Sequence, residues 1–176
     1  MAVPIQIDVW QGEVAELEVD AIIVPATESL FMTSPLARAV KRRAGETVEM
    51  EAIRQGPVDA GSAVVTGGGR LATPYLIHAV AVGHELHGDT ARLRAALDAA
   101  FSMAARLSLT RVAMTPIGLE RGAFTPDEAA AELIAVIEDR ARRGEPLPAS
   151  LVIAVANAAE SVAFGSASEA LRAATR

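Results

Sequence analysis

Between Asp20 and Pro25 the chain reads Ala21-Ile22-Ile23-Val24, four apolar residues with no polar side chain among them. A run this short, closed by a proline, is the pattern of a strand buried on both faces. Such a strand needs a covering layer on each side of its sheet, which narrows the fold to layered α/β architectures. The flanking segments fit. Val3, Ile5, Ile7 and Val9 alternate as a first strand that Gly12 breaks, and 62–66, 75–82, 111–116 and 151–156 read as further strands.

Helical signals fall between them. Ser34 is placed to cap a helix with Pro35 at its first position, Leu36, Ala39, Val40 and Ala44 keep helical spacing, and Gly45 ends it. A short helix is expected over 46–55. Residues 90–107 carry Leu93, Leu97, Ala100, Phe101 and Ala104 on one face. Thr125-Pro126-Asp127-Glu128 is a capping box opening a helix that Gly144 stops, and 159–171 forms a closing helix. Alternating strands and helices predict a single α/β domain over residues 1–176, with a mixed, largely parallel sheet covered on both faces.

Composition narrows the function. With 51% hydrophobic residues but only 3% aromatics, the core must be aliphatic. A net charge of −6 excludes nucleic acid as the main partner, and the Lys41-Arg42-Arg43 cluster reads as the solvated end of a helix. There is no cysteine, so thiol nucleophiles and thiolate metal sites are excluded. No apolar run approaches the roughly 20 residues of a membrane span, and no leader is evident, so the expected compartment is the cytoplasm.

Recognised nucleotide and catalytic motifs are missing. No G-x-G-x-x-G follows a strand, and Gly67-Gly68-Gly69 reads as a hairpin turn. His84-Glu85-Leu86-His87 places its histidines three apart between glycines, which reads as a surface loop rather than a metal site. His78 reads as structural, and Ser166 and Ser168 as helix-surface residues. Ligands of such sheets bind beyond the carboxyl ends of the strands. The segments there are 26–35, 117–125 and 157–160. The first two lead into helix N-termini, which suit a phosphate but also serve as ordinary connections.

Taken in order, several pieces resemble the macro domain. They are Gln11-Gly12-Glu13-Val14, Asp20-Ala21-Ile22-Ile23, Gly61-Ser62-Ala63-Val64-Val65-Thr66 and Tyr75-Leu76-Ile77-His78-Ala79-Val80. Pro116-Ile117-Gly118, followed by Gly122, Pro126 and Glu128-Ala129-Ala130, continues the pattern. The resemblance implies a three-layer α/β/α fold that binds ADP-ribose or a related nucleotide; some members hydrolyse ADP-ribosyl esters. It places Glu13, with Val14 beside it, at the adenine. Thr27, Ser34 and Leu36 of one loop would wrap the diphosphate and distal ribose. So would Gly118, Leu119, Glu120, Arg121, Gly122, Ala123 and Phe124 of a second. Ala156 and Asn157 would frame the base.

Departures from the family pattern fall in those loops. The usual Asn-Ala-Ala-Asn is Val24-Pro25-Ala26-Thr27, the glycine run is Thr33-Ser34-Pro35, and the aspartate of active hydrolases is Ala37. Gly-Thr-Gly is Gly118-Leu119-Glu120. Pro35 offers no N–H, and Glu120 brings negative charge toward a negative ligand unless it turns away or pairs with Arg121. Arg38 or Arg121 is placed to replace lost backbone donors. The expectation is therefore nucleotide binding without the usual hydrolase chemistry, with no catalytic residue, metal or cofactor assigned. The alternatives are a hydrolase with a rearranged site using Glu120 as base, or a protein-interaction module that has lost its ligand. Oligomeric state is not legible.

Overall fold

The computed structural model describes residues 3–83 and 88–175, so the His84–His87 reading lies outside the described residues. Six strands form one sheet: β1 (Gln6–Gln11), β2 (Ala21–Pro25), β3 (Ser62–Gly67), β4 (Tyr75–Val80), β5 (Arg111–Met114) and β6 (Ser150–Val155). Their order is β1-β6-β5-β2-β4-β3, parallel throughout except for the antiparallel β3–β4 pair. The helices are α1 (Pro35–Ala44), α2 (Glu46–Ile53), α3 (Thr90–Arg106), α4 (Pro126–Arg143) and α5 (Ala158–Ala174). This is the three-layer, mostly parallel arrangement expected.

β2 shows why the apolar run is continuous. Ala21 and Ile23 enter the core under α3, α4 and α5, while Ile22 and Val24 enter the opposite core under α1. All five β2 residues are buried. Just before it, Asp20 accepts hydrogen bonds from Thr110 N, Thr110 Oγ1 and Arg111 N at 2.8–3.1 Å, which hold its carboxyl below the usual range and tie the starts of β2 and β5 together.

Local signals formed the elements they imply. Ser34 Oγ accepts from Ala37 N, and the Thr125–Glu128 capping box is complete. The glycine run connects β3 to β4, with Gly69 at φ 59 packed so closely on Ala44 that a Cβ would lie 2.3 Å from its carbonyl oxygen. β1 starts three residues later than the alternation implies, because its ladder runs from Gln6 beside Ser150 to Gln11 beside Val155. Ser168 corrects the surface reading: it is buried, and its Oγ donates to Phe164 O at 2.7 Å, which satisfies the hydroxyl within its own helix.

Arg140 is buried on α4 and joins Asp98 (2.8 Å), Glu145 (3.0 Å) and Pro146 O (3.1 Å), bridging α3 to the end of α4. No helix among the described residues is long and apolar enough to cross a membrane.

Candidate functional site

Two cavities open at the carboxyl ends of the parallel strands, one on each side of the first turn of α1. The larger, about 470 Å³, lies between the Gln11–Ala15 segment, α1 and the end of β6, with Glu13, Val14 and Leu36 in its wall. The smaller, about 310 Å³, lies between the 25–35 loop, Val82, Gly83 and the second loop, and is lined by Thr27, Ser34, Arg38, Glu120 and Arg121. With Ala156, which also lines the larger cavity, nine of the residues singled out from the sequence thus meet around one helix end. Gly118, Leu119, Gly122, Ala123, Phe124 and Asn157 line neither cavity.

Their positions have local causes. Phe124 is buried in the core, with Leu119 and Ala123 packed against that cluster. Asn157 caps α5: its Oδ1 accepts from Glu160 N at 3.0 Å and its Nδ2 donates to Glu160 Oε1 at 3.1 Å. The N–H groups of Gly122, Ala123 and Phe124 close the second loop on itself, bonding to the carbonyls of Leu119, Glu120 and Gly118. Arg121 holds the left-handed conformation, φ 56, an unfavourable state for a residue with a side chain.

Glu120 neither turns to solvent nor pairs with Arg121. Its Oε2 accepts from Gly118 N at 2.7 Å, so the loop's own carboxylate occupies a backbone donor that a ligand anion would otherwise use. Burial pushes this carboxyl above its ordinary range, with hydrogen bonds from its own N–H and that of Gly118 opposing. Arg38 donates through Nε to Thr33 O at 2.7 Å, and neither its guanidinium nor that of Arg121 has a carboxylate partner among the described residues. Two cations are therefore left facing the smaller cavity.

The first loop is held from behind. Glu49, buried on α2, accepts Met32 N at 2.7 Å and Lys41 Nζ at 3.1 Å. Lys41 is thereby drawn out of the basic cluster, and Arg43 pairs with Glu13 and Glu16 at 3.4 and 3.6 Å. Glu13 thus enters the larger cavity with an exposed arginine partner. Phe31 lies in the 26–35 loop already placed at the strand ends but was not singled out, and Val82 and Thr115 were missed as cavity residues. Those two follow β4 and β5, and only the fold brings them to the cavities.

The sequence model of the Macro domain matches residues 23–133. An uncharacterized protein of Aquifex aeolicus is 32% identical over 150 residues, covering 85% of this chain and 88% of that protein. One of Aeropyrum pernix is 32% identical over 127 residues, covering 70% of this chain and 66% of its own length. Among solved structures, the Trypanosoma brucei macrodomain in complex with ADP-ribose superposes with a TM-score of 0.81 at 17% identity, covering 91% of this chain and 68% of that one. The sheet order, the paired cavities and these matches define one class: open α/β proteins with a cleft beyond the strand ends. Within that class, this chain belongs to the macro domain family.

Proposed function

We propose that the chain binds ADP-ribose or a related nucleotide across the two cavities, without the hydrolase chemistry found in some macro domains. One observation carries the reading. The first turn of α1 separates a larger cavity bearing Glu13 from a smaller one lined by Glu28, Glu120 and two guanidiniums that have no carboxylate partner among the described residues. An adenine suits the first, with Glu13 accepting from its amino group, and a diphosphate suits the second through charge-assisted contacts. The neighbouring T. brucei structure holds ADP-ribose, which supports this choice of ligand.

The helix end itself offers little to an anion. Pro35 has no N–H, and Ala37 and Arg38 give theirs to Ser34. Binding then depends on Arg38 and Arg121, and Glu120 opposes it. Two charges near 4 Å interact by roughly 1–4 kcal/mol in partly screened surroundings. Glu120→Gly removes the charge and frees the Gly118 N–H, so it should tighten ADP-ribose binding about tenfold, most clearly at low salt. An unchanged or weaker affinity in titration calorimetry would rule out Glu120 as a repulsive gate. ATP and AMP in the same titrations define which phosphate chain the cavity prefers.

A second reading rests on the same carboxyl. A glutamate raised above its ordinary range in a cleft suits general acid–base work, so a rearranged hydrolase would use Glu120.

A further inference from the structure

Phe31 stands in the wall of the smaller cavity with 46% of its surface exposed, while its neighbour Leu30 is fully buried. The loop arranges this contrast. Leu30 takes φ 63, a conformation disfavoured for any residue with a Cβ, and its side chain is sunk against Gly56. Thr27 Oγ1 accepts from Phe31 N at 3.1 Å and fixes the turn that presents the phenyl ring outward. Ala26 and Val82 continue an apolar wall beside it, and Arg38 and Arg121 lie on the same cavity.

The stretch of wall formed by Phe31, Ala26 and Val82 offers a ribose's hydroxyls no partners, although Glu28, Thr33 and Ser34 line the same cavity. A planar base fits it well, because every base offers a π face for stacking on an aromatic side chain. We infer that the ligand carries a second nucleobase on its distal ribose: a dinucleotide with its adenine at Glu13, its diphosphate between Arg38 and Arg121, and its second base on Phe31. The inference rests on the nucleotide reading above and names the ligand class within it.

Titration calorimetry of the full chain with NAD⁺, diadenosine diphosphate and ADP-ribose tests it, the first two carrying a second base and the third none. At least one dinucleotide should bind about tenfold more tightly than ADP-ribose. Phe31→Ala should bring it to the level of ADP-ribose while costing ADP-ribose itself far less, and Phe31→Trp should retain the advantage. Equal affinities for all three, tighter binding of ADP-ribose, or an equal loss for all three in Phe31→Ala overturns the inference. If none of the three binds, the nucleotide reading itself fails and takes this inference with it.

Discussion

Hydrolysis of O-acetyl-ADP-ribose by this chain should run at least about 100-fold more slowly than by an active macro-domain hydrolase under the same conditions. The hydrolase pattern needs an asparagine and an aspartate to orient ribose and water. Here Thr27 stands in the first position, and its hydroxyl is already engaged with the backbone of Phe31. Ala37 stands in the second, fully buried with only a methyl group to offer. Positioned acid–base groups typically contribute about 10²–10⁴-fold each, so losing both leaves little beyond binding. A rate matching the active enzymes would contradict this. If that rate also collapsed in Glu120→Gln, the rearranged-site reading would replace it.

Acid should destabilise the fold between pH 6.5 and pH 4, and His78 should account for about one proton of that dependence. His78 lies fully buried on β4, with Nε2 2.8 Å from Thr66 Oγ1. The Thr66 hydroxyl also lies 3.1 Å from Gly67 O, and His78 Nδ1 is buried without a hydrogen-bond partner among the described residues. Burial lowers the His78 pKa from 6.5 to about 4, only weakly opposed by Glu49. The sign follows from linkage. Above pH 6.5 the ring is neutral in both states and the stability is fully present. As pH falls from there, the unfolded chain takes up a proton that the folded one refuses, until the folded value is passed. The shift corresponds to about 3 kcal/mol. Denaturant titrations at pH 7 and pH 4.5 should show a markedly smaller difference for His78→Gln than for the unaltered chain. Equal differences in both would remove His78 as the cause.

The parts of this molecule legible in the sequence are those set by neighbours along the chain. Ser34-Pro35 and Thr125-Pro126-Asp127-Glu128 start helices through bonds spanning three residues, and Ala21–Val24 declares a strand covered on both faces by its composition alone. Of the cavity residues, Ser34 was legible from its place between a strand end and a helix start, whereas Glu13 and Arg38 were named through the resemblance to the macro domain. What escaped depends on contacts between distant segments. Glu120 folding onto Gly118 follows from how the second loop closes, and Phe31 faces outward because Leu30 finds a buried seat by Gly56. Ser168 has the polarity of a surface residue and the position of a core one, because its hydroxyl is satisfied within the helix. Glu49 looks like any helix-surface glutamate until α2 packs behind the first loop and gives it Met32 N and Lys41.

We propose that the two guanidiniums on the smaller cavity, rather than the backbone of a glycine-rich loop, hold a nucleotide's diphosphate. Calorimetric titration of ADP-ribose into the chain and into an Arg38→Ala, Arg121→Ala double variant tests it most directly. Hydrogen bonds to charged groups contribute roughly 1.5–3 kcal/mol each, so the double variant should lose at least about tenfold in affinity, and the loss should shrink as salt is added. Binding of equal strength and equal salt dependence in both proteins would contradict the account, as would the absence of any heat of binding in the unaltered chain.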